Sequence, residues 1–166
     1  MNTKKLTLTA LLASTALVLS FIEGSFVFVP QCPGVKVGLS NVAVMFALFF
    51  VNKRTAFSIN ILKALFALLT RGAMAGLLSL TGGVASIIVM ILLSFIFKGA
   101  SVACISVFAA LTHNLAQFAV ISVVYSPVSM LPYLPLLIVS GIIFGVANAV
   151  FLYGVRPALT RIGGGK

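Results

Sequence analysis

The side chains in this sequence that could do chemistry lie inside apolar runs, where ionisable and amide groups are costly. Lys63 falls near the middle of one such run. A charge at the centre of a bilayer costs on the order of 2.5–3.5 kcal/mol on insertion scales, so such a residue normally faces a cavity or a partner. At about 100° per residue, Asn60, Lys63, Ala67 and Arg71 share one side of a helix and give it a cationic face. Two readings stand for Lys63, a binding group or a side chain that snorkels to the headgroups, and its central position favours the first. Arg71 either joins the same pocket or anchors the helix end at the interface.

A second cluster is His113-Asn114 with Gln117 one turn further on. Ser106, Ala109, His113 and Gln117 fall on a common face, and Asn114 lies about 100° from His113. An interhelical hydrogen-bond clamp is the expectation for Asn114. His113 and Gln117, at the depth of the outer half of the Lys63 face, are expected to line a cavity.

The third element is the stretch from Pro30 to Asn41, where Pro33, Gly34, Lys36 and Gly38 lead into an apolar segment. Proline and glycine at a helix start leave unpaired N–H groups and a positive dipole end, which Lys36 would reinforce. Lys36, Asn41, Lys63, Arg71, His113 and Gln117 together predict an outward-facing pocket with excess positive charge and an anionic ligand. Glu23, the single acid of the chain, is expected to pair one of these cations. A serine–histidine–acid triad has no support, because His113 has no acid near it in sequence. Cys32 and Cys104 are far apart without metal-ligand spacing, so neither a metal nor a cofactor is implied.

The elements that must position these groups follow from composition. The chain has 166 residues, 61% hydrophobic and 7% charged, with eleven Lys plus Arg. A water-soluble domain carries about a quarter charged residues, so this apolar exterior faces a bilayer. A net charge of +10 in a soluble protein would point to nucleic acid, but here the basic residues are scattered between apolar runs and read as topology signals. Six segments result: 6–22, 35–51, 55–69, 76–97, 101–125 and 131–153. Lys4-Lys5 with the first segment could pass for a signal peptide, but no convincing cleavage site follows, so it is read as a retained helix. With the amino terminus inside, Lys4, Lys5, Lys53, Arg54, Lys98, Arg156, Arg161 and Lys166 fall on the inner side, and Lys36 and Arg71 on the outer. The expectation is an all-α, polytopic bundle of six transmembrane helices in the plasma membrane, with both termini cytoplasmic. It forms one domain over 1–162, with 163–166 as a flexible tail.

Small residues at four-residue spacing let helices approach closely in lipid. Gly141, Gly145 and Ala149, and likewise Ser79, Gly83 and Ser86, are expected to pack within the bundle. Thr9, Ala13, Ala16 and Ser20 on the first helix either pack internally or meet another subunit.

The run PGVKVGLSN (33–41), the basic residue at 63, Gly82-Gly83 and HNLAQ (113–117) resemble the Gx transporter family, also known as heptaprenyl diphosphate synthase component I, over nearly the whole chain. Its members are similar to substrate-binding S components of energy-coupling-factor transporters. The resemblance implies a six-helix subunit that captures a small molecule outside and works with a transmembrane coupling subunit and cytoplasmic ATPases. It further implies docking on that subunit through Thr9, Ala13, Ala16 and Ser20. Lys63 departs from the family pattern, which has arginine there, and keeps the charge without the bidentate fork.

The leading function is thus capture of an anionic small molecule, isoprenoid or vitamin-like, by a non-enzymatic uptake subunit. The chain has no phosphate-binding GxxxxGK[ST] loop, so energy must come from partners. The alternative is a non-catalytic membrane component associated with heptaprenyl diphosphate synthesis. Prenyl transfer enzymes hold Mg²⁺ with aspartate clusters, and this sequence contains no aspartate.

Overall fold

Two single residues set much of the architecture. Asn52 is extended, and its Oδ1 accepts from the Thr55 backbone N–H at 2.7 Å, an asparagine N-cap that starts a helix. Gly72 takes φ +90°, a conformation open to glycine, and reverses the chain between two helices without a longer loop. The breaks expected over 52–54 and 70–75 therefore shrink to one residue each.

The computed structural model describes residues 3–25, 38–97, 99–124 and 131–163. All regular structure among them is helical. The elements are α1 (Thr3–Ser25), α2 (Ser40–Phe46), α3 (Lys53–Arg71), α4 (Ala73–Ile96), α5 (Val102–Val124) and α6 (Leu134–Gly163). A π turn, Ala47–Val51, prolongs α2, and a 3-10 turn, Leu131–Tyr133, precedes α6.

The second segment departs most from expectation. Gly38 has φ +71° and α2 starts only at Ser40, so its seven residues and the five-residue π turn reach about 18 Å at about 1.5 Å per residue. That falls short of the roughly 30 Å of a hydrocarbon core. Among the described residues, four stretches are long and apolar enough to cross a membrane: Lys5–Ser25, Ala73–Ile96, Val102–Val124 and Leu131–Val155. α2 misses that standard through length, and α3 through its basic and amide residues. The exterior is apolar, with Leu69, Phe95 and Val123 more than 80% exposed. This is the surface of a membrane protein rather than of a water-soluble one.

α2 occupies the middle. Ser40 and Val42 to Ala47 are all buried, as expected of a helix apolar on every side. The longer helices surround it. α3 and α4 run antiparallel, since Gly76 packs on Leu68 and Gly83 on Asn60. α4 and α5 do likewise through Gly82 on His113. α5 and α6 follow suit, with a Cβ at Gly145 falling 2.6 Å from Val107 Cα. The Gly141, Gly145, Ala149 ridge is thus an internal packing face. So is the Ser79, Gly83, Ser86 face, whose three residues are all buried.

The α1 ridge also turns inward, against the docking role implied for it. Ala16 is fully buried in the core and Ser20 is 2% exposed, while Thr9 and Ala13 are partly covered. The free face of α1 is instead formed by bulkier residues such as Leu11, Val18 and Phe21. In a bundle the narrowest residues go where backbones meet most closely, here against α2 and α3.

Asn114 is the expected clamp. Its Nδ2 donates to the Leu137 carbonyl at 2.9 Å and to Ser140 Oγ at 3.3 Å. Asn114→Ala is expected to lower stability by about 0.6–1.7 kcal/mol, the range for such bonds between membrane helices, as read from unfolding in mixed micelles.

Candidate functional site

The polar faces of α3 and α5 meet between α1, α2 and α4. One cavity is lined by Ser20 and Glu23 of α1, Gly38, Ser40 and Asn41 at the start of α2, Lys63 and Arg71 of α3, Ser79 of α4, and His113 and Gln117 of α5. Glu23, Asn41, Lys63, Arg71, His113 and Gln117, all singled out in sequence, share this one space. Lys36 lies outside the described residues, as does Cys32.

Two glycines of α4 make the convergence possible. A Cβ at Gly82 would stand 2.8–3.0 Å from the His113 ring, and one at Gly83 would land on the Asn60 carboxamide. Without side chains there, α4 admits polar groups from α3 on one side and α5 on the other. Asn60 Nδ2 then reaches the Leu80 carbonyl at 3.5 Å, and Gln117 Nε2 reaches that of Leu78 at 3.2 Å.

The charges are arranged by hydrogen bonds. Lys63, 2% exposed, donates from Nζ to Asn41 Oδ1. Arg71 donates from Nη2 to Ser20 Oγ at 3.1 Å, and its guanidinium lies against Gly24. Glu23 accepts from the Ser40 backbone N–H and from Ser40 Oγ, both at 2.9 Å. It is also the acid that attracts Arg71 electrostatically.

This corrects one expectation. The first amides of α2 are not left open for an anion: Glu23 takes that of Ser40, and those of Asn41 and Val42 donate to the Gly38 and Leu39 carbonyls. Glu23 therefore caps a helix that begins inside the bundle, where an unpaired N–H would be costly.

With two cations and one acid, the cavity lining carries a formal charge of +1 when His113 is neutral. Two polar atoms around it have no hydrogen-bond partner among the described residues, the donor Arg71 Nε and the acceptor Gln117 Oε1. Leaving such atoms buried costs about 1–3 kcal/mol each, so they favour a molecule able to meet them. The free volume is about 20 Å³, enough for one or two waters, so a larger guest enters only as the helices part. Among the described residues no three His, Cys, Asp or Glu side chains gather as a metal site. The chemistry available here is charge and hydrogen bonding.

Sequence reading missed the site roles of Ser20, Ser40 and Ser79. It also passed over Asn148 of α6, buried at 5% exposure, although Gly141, Gly145 and Asn148 share a helical face in an otherwise apolar run.

No curated protein and no solved structure matches the chain. A family model does match, that of heptaprenyl diphosphate synthase component I, over residues 12–154, a span from the first helix through most of the last. Both cations of the cavity and every other polar group that lines it lie within that span, and the chain belongs to the heptaprenyl diphosphate synthase component I family.

Proposed function

We propose that this chain is the substrate-binding membrane subunit, or S component, of an energy-coupling-factor-type uptake transporter, and that Lys63 and Arg71 capture an anionic small molecule arriving from outside. One observation carries the reading: a buried lysine and a half-buried arginine, with a single acid beside them, converge with amide and imidazole groups on one cavity inside an apolar bundle. Such groups are costly in a membrane unless they serve a guest. Glu23 attracts Arg71 and caps α2, and Gln117 Oε1 and Arg71 Nε remain to be met by the ligand.

The basic residues at 4, 5, 53, 54, 98, 156, 161 and 166 support a topology with both termini cytoplasmic in the plasma membrane, which puts the Arg71 end of the bundle outside. Uptake then needs a transmembrane coupling subunit and cytoplasmic ATPases, because this chain has no nucleotide-binding loop. The inward-facing α1 ridge is not offered as the docking surface.

The family description favours one second reading, a non-catalytic membrane partner of a heptaprenyl diphosphate synthase. It predicts prenyl chain extension that depends on this chain when the components are mixed, whereas the uptake subunit leaves extension unchanged.

Native mass spectrometry of the detergent-purified protein tests the proposal. The expected result is a co-purifying anionic compound of small mass that is lost when Lys63 and Arg71 are both replaced by alanine. A bound compound that is neutral, or one retained by the double variant, counts against the assignment.

A further inference from the structure

The anion site leaves one buried polar group of α6 unused. Asn148 donates from Nδ2 to the Gly38 carbonyl at 3.2 Å. A carbonyl only accepts, so this bond fixes which way the amide faces and turns Oδ1 away from Gly38. That oxygen has no partner among the described residues. Asn148 borders two small cavities. One adjoins the cation site through Asn41 and His113, and the deeper one is lined by Met45, Met90, Ser86 and Ser106.

In the deeper cavity the hydroxyl protons are already committed. Ser86 Oγ donates to the Gly83 carbonyl at 2.9 Å and Ser106 Oγ to the Gly145 carbonyl at 2.7 Å. A hydroxyl has a single proton. What these two serines can still offer is therefore lone pairs, and the polar atom of Asn148 left without a partner among the described residues is likewise an acceptor, Oδ1. No residue lining this cavity is ionisable, and the rest of its wall is largely methyl and thioether groups.

We propose that this cavity is a second, uncharged subsite that takes the far end of the ligand, and that this end carries a hydroxyl or N–H which donates to Asn148 Oδ1. The inference rests on the reading of Lys63 and Arg71 as the anion-binding groups. Asn41 joins the two subsites, since it accepts from Lys63 and lines both cavities. The substrate class that follows is a small acid with a donor-bearing tail. A plain hydrocarbon tail would displace water from a buried acceptor and give nothing back.

The test uses the full chain in lipid nanodiscs and matched probes, short n-alkyl phosphates against ω-hydroxyalkyl phosphates of equal length, with inorganic phosphate alongside. At one chain length the hydroxylated probe is expected to bind about tenfold more tightly in the wild type. That ratio is expected to fall to about one in Asn148→Ala and in Ala110→Leu, which fills the same space from α5. Equal affinity of the two probes in the wild type, with both bound, overturns the inference and means that a water serves Oδ1, while the anion site stands. Failure of all three probes to bind overturns the anion reading and this inference with it. Because the wild-type ratio decides alone, a misfolded Asn148→Ala does not protect the proposal.

Discussion

Lys63→Met is expected to weaken binding of the anionic ligand by about ten- to a hundredfold while leaving the melting temperature unchanged or raised. The two effects separate for a physical reason. In the folded protein the ammonium is 2% exposed and donates to a neutral amide, Asn41 Oδ1, a hydrogen bond that offsets part of its desolvation. Replacing the ammonium by an apolar side chain of similar length recovers its desolvation cost, which offsets the hydrogen bond lost to Asn41. For the ligand the balance is the reverse. Loss of Lys63 takes the cavity lining from two cations and one acid to one of each, so its formal charge falls from +1 to zero. A charge-assisted hydrogen bond is worth about 1.5–3 kcal/mol, which sets the expected loss. Lys63→Arg keeps the charge and should retain most of the affinity, with altered geometry from the planar fork. Isothermal titration with the co-purified compound reads the affinity, and thermal unfolding in the same detergent reads the stability. An unchanged affinity in Lys63→Met removes this lysine from the site.

The second large effect is steric. Gly83→Ala is expected to destabilise the bundle by about 1–3 kcal/mol, the range for overpacking a closely packed interior. The new methyl group would land on the Asn60 carboxamide, which is fully buried and tethered to the Leu80 carbonyl. With Asn60 fully buried, room for the methyl comes at the expense of the packing between α3 and α4. Because α3 also carries Lys63 and Arg71, a shift of α3 displaces the cations of the cavity. Shortening the opposing residue relieves the clash, so Gly83→Ala with Asn60→Ala should recover much of the stability lost in Gly83→Ala alone. Such a coupling is the mark of direct contact. Purely additive losses in the double variant would show that the two residues do not meet.

The same pair of glycines shows how local sequence and tertiary contact divide the work. Gly82-Gly83 stands out within the apolar run of α4, yet nothing on that helix says which neighbours will use the space. The occupants come from α3 and α5, about twenty and thirty residues away along the chain, through antiparallel packing at a helix spacing of about 8–10 Å.

The sequence by itself determined the helical class, the number of helices, and which sides of α3 and α5 are polar. All three follow from composition and from a period of 3.6 residues, which are properties of one segment at a time. Hence the Asn60, Lys63, Ala67, Arg71 face and the Ser106, Ala109, His113, Gln117 face could be read before any contact was known. Only the tertiary structure decided what covers those faces. It brought Glu23 onto the Ser40 amide and within electrostatic reach of Arg71, began α2 inside the bundle at Ser40, and folded Ala16 and Ser20 of the α1 ridge inward. It also left the Asn148 and Gln117 oxygens facing inward without partners among the described residues. A periodic pattern fixes a direction around its own axis, but which group waits in that direction depends on how separate helices fit against one another, and no single helix encodes that.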